Sequence, residues 1–329
     1  MMRPLPELNI EELCKMGIYV TQKTVKDICL RVIRNPERSF EIIFVGKKKK
    51  KALRIDCYAE DTACKLMEER MEKWQKGHFK KLTYFGEESL GEDPFLADCQ
   101  TVCVLADAID GTDLLERGLY NWCSAFIFFY PARPHGQKIL AAFVGLPTGE
   151  VYHARCDKEG AFVSRGSEKA VPVSGPSEVK AVHQASICFY GQKVKNMRAT
   201  FESGFLGGLE QAILGKSDDE TTLRLYDLAG IPMMMKLIDH KVKTACGIDV
   251  VFDIAGQKPH DVVPGAFIAK KAGAVLKNLK GDDISDNDLE TLLLKPSAAE
   301  NELKYVLAAT HELGNSVINL LSAKTHTKV

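Results

Sequence analysis

Hydrophobic side chains follow two different periods along this chain. Between residues 8 and 34 they fall largely on one face of a helical wheel, at Ile10, Leu13, Ile18, Val25, Ile28, Leu30 and Ile33. That spacing predicts an amphipathic helix with those residues on its core face. Asn35-Pro36 ends it, because the residue before a proline is driven out of helical conformation. Phe40 to Val45 reads as a short strand, and residues 57–75 return to helical spacing with Ala63, Leu66, Met67 and Met71 on one face. Gly77 breaks that helix. Leu82 to Phe85 and Thr101 to Ala106 are short continuous apolar runs, the pattern of buried strands. A β-rich stretch from Ala125 to Val173 is punctuated by Pro131, Pro134, Gly136, Pro147, Gly149 and Gly160. A strand is predicted at 182–188, and helices near 206–214, 230–240, 263–273 and 299–323. Strands alternating with helices predict an α/β protein with layers in two subdomains. The seam falls near 175–182, giving an N-terminal α+β part (1–178) and a C-terminal α/β part (179–329).

The two apolar runs share a second property: each leads directly into acids. Leu82–Phe85 is followed by Gly86-Glu87-Glu88-Ser89, and Thr101–Ala106 by Asp107-Ala108-Ile109-Asp110-Gly111-Thr112. Two carboxylates three residues apart at a strand end can converge on one cation. Gly111 permits a tight turn, after which the N–H groups of Gly111, Thr112 and Asp113 open a helix and attract an oxyanion such as phosphate. Three or four carboxylates at one sheet edge repel each other and raise their own pKa values. A hard divalent cation removes that repulsion, and oxygen-only ligation favours Mg²⁺ over zinc.

At these residues the sequence resembles the inositol monophosphatase family, within the lithium-sensitive, magnesium-dependent sugar phosphatases. The family carries Gly-Glu-Glu at one strand end, here Gly86-Glu87-Glu88. It carries Asp-Pro-Ile-Asp-Gly-Thr at the next, here Asp107 to Thr112 with Ala108 in place of the proline. The family's Trp-Asp at a late helix corresponds to His260-Asp261, followed by Lys271-Ala272-Gly273-Ala274. Ile55-Asp56-Cys57-Tyr58-Ala59-Glu60 is similar to its Asp-x-x-x-Glu. Val144 to Arg155 and Gly160-Ala161-Phe162 resemble its central hairpin, and Arg224 to Gly230 and Phe252-Asp253 its archaeal branch. The resemblance runs from about residue 50 to 322. Departures are Asp113 after Gly-Thr, Leu114-Leu115-Glu116 in place of Asn-Phe or Asn-Tyr, and a run of five lysines where one is usual.

The resemblance implies a layered αβαβα sandwich of the inositol monophosphatase/fructose-1,6-bisphosphatase type and two or three Mg²⁺ ions. Glu87, Asp107 and the Ile109 carbonyl would hold the first ion. Asp107, Asp110 and Asp261 would hold the second, and Glu87 a weaker third. Asp56 and Thr112 would orient the attacking water, with Glu88 in support. Gly111, Thr112 and Asp113 would meet the phosphate, Asp253 a sugar hydroxyl and Arg224 a second phosphate. His260 is placed to orient Asp261 or meet substrate. The leading activity is hydrolysis of inositol monophosphate or a related sugar phosphate. Fructose-1,6-bisphosphatase is the alternative, a nucleotide 3′-phosphatase a weaker third, and a catalytically weak phosphoester sensor or scaffold the alternative of another class. A homodimer is the family expectation.

Composition narrows the partners. Lys plus Arg and Asp plus Glu both total 44 among 329 residues, so the net charge is zero. That argues against nucleic acid or an anionic membrane held by overall charge. The N-terminus has no secretory signal pattern, and no run reaches the roughly 18 apolar residues of a membrane span. Ten cysteines without a C-x-x-C spacing read as reduced thiols of a cytoplasmic protein. Lys47 to Lys51 reads as a solvated loop, a phosphate-facing or gating loop, or a patch for a polyanion such as nucleic acid or a phosphoinositide. Gly215-Lys216-Ser217 fails as a P-loop, since Glu210 stands where the first glycine is required. Met233 to Met235 reads as core, and His153 and His311 as packing or surface residues.

Overall fold

The computed structural model describes residues 9–45, 50–74, 82–88, 102–131, 138–166, 168–217, 221–239, 247–296 and 301–322. Lys47 to Lys49, Gly77, Ser89, Cys99, Thr101, Pro134, Gly136, Cys246 and the side chain of Met71 lie outside the described residues. The chain begins with α1 (Ile10–Arg34), α2 (Pro36–Ser39), β1 (Ile42–Val45), β2 (Lys50–Leu53), α3 (Arg54–Trp74), β3 (Leu82–Gly86), β4 (Val102–Asp110) and α4 (Thr112–Glu116). It continues with β5 (Cys123–Phe129), β6 (Ile139–Gly145), β7 (Glu150–Arg155), β8 (Ala161–Arg165), β9 (Val171–Pro172), β10 (Ser186–Phe189), α5 (Val194–Glu202) and α6 (Phe205–Ile213). The remaining elements are β11 (Arg224–Tyr226), α7 (Ile231–Ile238), β12 (Val250–Gln257), α8 (Pro259–Lys271), β13 (Val275–Lys277), α9 (Asp286–Leu293), β14 (Leu303–Ala308) and α10 (His311–Ser322).

Among the described residues two large sheets alternate with three helical layers, giving the αβαβα sandwich, and β1 and β2 form a separate two-stranded antiparallel sheet. The first sheet runs β3 to β9 in sequence order, antiparallel except for the parallel pair β3–β4. The second has the order β11-β10-β12-β14-β13. Helices α1 and α3 cover one face of the first sheet. Helix α8 packs on the other face and also on β13 and β14, so with α7 it forms the middle layer. Helices α5, α6 and α10 close the far side. Covered on both faces, β5 and β6 are buried at every position, which is why they read as continuous apolar runs rather than alternating ones. Phe126, Phe128 and Phe143 face α1, while Ile127, Phe129 and Val144 join the cluster that includes Phe267 of α8. Among the described residues no helix is long and apolar enough to cross a membrane, and the eight described cysteines are free.

Helix α1 starts where Asn9 accepts a hydrogen bond from the Glu12 amide at 3.1 Å, an N-cap that satisfies one of the free first-turn donors. Its buried face is Leu13, Cys14, Met16, Gly17, Val20, Thr21, Thr24, Val25 and Ile28. Ile33, expected in the core, is 77% exposed. Past Ile28 the face is only partly covered, with Cys29 and Val32 packed against the cluster around Ile55 and Trp122. A Cβ at Gly17 would overlap the ring of Phe143, a fully buried residue wedged edge-on against Phe128. Helix propensity favours Gly17→Ala by about 1 kcal/mol, but the overlap dominates. The substitution is expected to lower stability by roughly 1–3 kcal/mol, read as a lower urea midpoint with unchanged slope.

Several expected boundaries move. The helix expected at 299–323 is β14 followed by α10. Residues 305–309 form a short apolar run, which periodicity does not assign to strand or helix. The strand expected at 182–188 is a 3₁₀ turn at Val182–Gln184 and then β10. Helix α8 starts at Pro259, four residues before the expected 263, with proline in the first turn where its missing N–H costs nothing. Strand β4 continues past Ala106 to Asp110. These last two shifts place the acids.

Candidate active site

Asp107 and Asp110 are three residues apart, so in a regular strand their side chains would point to opposite faces. The pairing of β4 with β5 shifts register between these two positions. A bulge inserts one residue and restores a common face, and both residues line one cavity of about 360 Å³ with Glu87 and Asp261. Asp107 accepts a hydrogen bond from the Ile109 amide at 3.0 Å. Asp110 Oδ2 accepts one from the Ile231 amide, at the start of α7, at 3.1 Å. The positive end of α7 therefore faces this carboxylate and ties the second sheet's half to the first. Asp261 lies in the first turn of α8, where Oδ2 accepts from the Lys258 amide at 3.3 Å and Oδ1 lies 3.2 Å from His260 Nε2.

Helix α3 begins at Arg54, so Asp56 sits in its first turn and Glu60 one turn later. The spacing has a use at each end. Asp56 Oδ1 accepts from the Thr112 hydroxyl at 2.7 Å, and Oδ2 lies 3.2 Å from the Leu53 amide. Glu60 Oε1 accepts from the Glu88 amide at 2.6 Å, holding the turn after β3. Gly111 has φ +92°, a left-handed conformation that a side chain would strain, and caps α4. The amides of Leu114 and Leu115 donate to its carbonyl, while those of Thr112 and Asp113 belong to the first turn and have no acceptor within the helix.

The carboxylates disfavour each other's charge. Burial, then Glu87, Asp110 and Asp261, hold Asp107 well above the usual carboxylate range. Burial and Asp261 push Asp110 up to about 7. Asp261 is raised by burial and Glu87. Burial raises Asp56 to about 6, against the opposing hydrogen bond from Thr112. A bound cation reverses each of these penalties. Among the described residues, no three His, Cys, Asp or Glu side chains converge tightly enough to enclose an ion as they stand. Instead, Asp107 and Asp110 each give one oxygen to a backbone amide, and the Lys50 ammonium lies 3.6 Å from Glu87 and 3.1 Å from Glu88. Asp107 and Asp110 each retain a second oxygen, and all side-chain donors here are carboxylate oxygens. That donor set fits a hard divalent cation.

Asp56, Glu87, Asp107, Ile109, Asp110, Gly111, Thr112, Asp113 and Asp261 thus come together at or beside one cavity. Three other residues do not line it. Glu88 contacts Lys50 and Glu60 instead. Asp253 is 1% exposed and held by the Gly256 amide at 2.6 Å and by Asn196. Arg224 is exposed on the edge strand β11, so the arginine expected at a second phosphate stands away from the site. His260 is buried against Asp261, consistent with orienting that carboxylate. Met234 and Met235 are core, and His153 packs between Phe143 and Phe162. Sequence reasoning missed Tyr190, Gln192, Lys193, Asn121 and Gln257, which also line the cavity. They come from loops and a strand end with no motif of their own.

The fold and this cluster of acids define a class: the αβαβα fold of the inositol monophosphatases. Neither a protein-family model nor a curated protein matches the sequence. Solved structures do match. The extragenic suppressor protein SuhB of Bartonella henselae aligns with TM-score 0.63 and 13% identity over 94% of this chain and 98% of its own. The Thermotoga maritima inositol monophosphatase gives 0.60 and 14%, covering 94% and 96%. The MJ0109 gene product, an inositol monophosphatase–fructose 1,6-bisphosphatase, gives 0.60 and 16%, covering 93% and 98%. At these identities the likeness is one of fold over nearly the whole chain.

Proposed function

We propose that this protein is a Mg²⁺-dependent phosphomonoesterase acting on inositol monophosphate or a related sugar phosphate. One observation carries the reading: carboxylates from β4 and α8 meet in one cavity beside the Thr112–Asp56 hydrogen bond. Divalent cations bound there would supply charge neutralisation on the phosphoryl oxygens and an activated water. Glu87, Asp107, Asp110, Asp261 and the Ile109 carbonyl are the groups to hold them. The rest is done by the chain's own residues. The Thr112 hydroxyl donates to Asp56, which leaves its lone pairs to accept a proton contact from the attacking water. Asp56, titrating near 6, is a carboxylate at neutral pH and takes that proton's charge through Thr112. The free amides of Thr112 and Asp113 are suited to the phosphate oxygens. Asp107 and Asp110 are kept on one face by the bulge and cannot drift apart without breaking the β4–β5 ladder.

The test is Mg²⁺-dependent phosphate release across inositol phosphates, fructose 1,6-bisphosphate and adenosine 3′,5′-bisphosphate. Absence of turnover on every ester, with Mg²⁺ still bound, overturns the enzymatic reading in favour of a phosphoester-binding protein. Thr112→Val removes the hydroxyl but keeps the shape. It is expected to lower kcat by about 10²–10⁴-fold, whereas Thr112→Ser retains most of it. Equal losses in the two variants would show that the hydroxyl has no part.

A further inference from the structure

The cavity is not uniformly acidic. Among the described residues Lys193 is the one cationic side chain that lines it, set against Glu87, Asp107, Asp110, Asp113, Glu116 and Asp261. Lys193 precedes α5 in extended backbone conformation, φ −100° and ψ 139°. Several lysines of this half are paired, Lys258 with Glu302 at 3.2 Å, Lys270 with Asp286 and Lys277 with Asp283, both at 2.7 Å, but none of these lines the cavity. Lys193 has no such partner among the described residues. It is an exposed residue at the cavity wall, and its charge favours the ionised form of Asp261 from a distance.

A second donor is built into the same half. Gln257 is 7% exposed at the end of β12, and its Oε1 accepts from the hydroxyl of Tyr305, which is fully buried, at 3.0 Å. That bond fixes which way the amide points. It leaves the two N–H groups of Nε2, which have no partner among the described residues, as the end available to a ligand. The α4 wall has the opposite character. Asp113 and Glu116 are one turn apart and only loosely met by Arg117, at 4.0 and 3.9 Å. These two side chains would repel a substrate carboxylate, while the phosphate is met by the first-turn amides of α4.

We propose that Lys193, assisted by the amide of Gln257, recognises a carboxylate on the alcohol part of the phosphate ester, so that the site selects phosphorylated hydroxy acids over neutral polyol phosphates. The inference rests on the phosphomonoesterase reading and names the substrate class of that same site. One ammonium and one amide match a single, planar negative charge. A second phosphate, with nearly two charges, would leave one unmatched among six acids. Charge-assisted hydrogen bonds of this kind contribute enough to alter affinity by about tenfold.

The experiment is calorimetric binding to the full chain with Mg²⁺ present, using inorganic phosphate, glycerol 3-phosphate and 3-phosphoglycerate. The two esters differ in that a terminal CH₂OH is replaced by a carboxylate. The wild type is expected to bind 3-phosphoglycerate about tenfold more tightly, with a preference that shrinks as salt is raised. Lys193→Met is expected to remove the preference while leaving glycerol 3-phosphate affinity within about twofold, and Gln257→Leu to weaken the preference about threefold. Equal binding of the two esters by the wild type, or a preference that survives Lys193→Met, overturns the proposal and leaves the phosphomonoesterase reading standing. Failure of phosphate and both esters to bind removes that reading and this one together. Thermal melts of each variant keep misfolding separate from lost recognition.

Discussion

Asp110→Asn is expected to abolish Mg²⁺-dependent phosphate release while leaving the fold intact. Asparagine is close to isosteric, and its side-chain oxygen can still accept the Ile231 amide that Asp110 now holds at 3.1 Å. What disappears is one negative charge among carboxylates that already disfavour each other's ionisation. The metal-free variant should therefore melt at or above the wild-type temperature, while turnover falls on the order of 10³-fold. The two readouts move in opposite directions, which a merely structural role for Asp110 does not predict. Unchanged turnover would sink the assignment of Asp110 to the cation site.

The second large effect is on stability and needs no substrate. Asp110 and Asp56 have folded-state pKa values raised to about 7 and about 6 from an ordinary 3.8, both first by burial. Between roughly pH 4 and 7 the native state therefore holds more protons than the unfolded chain. Stability contributed by these groups falls as pH rises through that window and stays low above it. His153 acts with the opposite sign lower down: its pKa is depressed to about 4 by burial, so its contribution is lost as pH falls below about 6.5. Metal-free protein is thus expected to melt lower at about pH 8 than at about pH 6.5. Mg²⁺ at a hundredfold excess over its dissociation constant should restore about 2.7 kcal/mol, several degrees in Tm. The gain should be largest at the higher pH, where the carboxylates are already ionised. Scanning calorimetry with EDTA and with Mg²⁺ reads both. A Tm that rises with pH without metal, or that ignores Mg²⁺, would show that the acid cluster is not a cation site.

Much of the site was legible because its chemistry is local. Asp107 to Thr112 and Gly86 to Glu88 each follow a buried strand, and charge at the end of an apolar run is visible without a structure. Asp56 and Glu60 were legible through the resemblance to an Asp-x-x-x-Glu motif, but their targets were not. That Asp56 meets Thr112, 56 residues away, and Glu60 meets the Glu88 amide depends on how α3 crosses the sheet. Asp261 was legible only through its resemblance, since a lone acid near a proline has no local signature. Arg224 shows the limit from the other side: its sequence neighbourhood suggested a phosphate contact, and edge-strand position removed it from the cavity. The 299–323 segment failed because its short apolar run does not distinguish strand from helix, and Ile33 failed for another reason. A periodic or apolar stretch says that something is buried, but not where the covering surface ends.

The balance that makes the protein neutral overall, the apolar runs that become doubly covered strands, and the acids that end them follow from residue order. Those are properties of neighbouring residues, and short-range physics decides them. The tertiary structure alone decided that Asp107 and Asp110 share a face, through a bulge whose register depends on β5. It alone brought Asp261 to them from 151 positions beyond Asp110, and among the described residues it set one lysine, Lys193, at the cavity wall. Registers and cavities are set by which surfaces pack together, and packing joins residues that no local spacing relates.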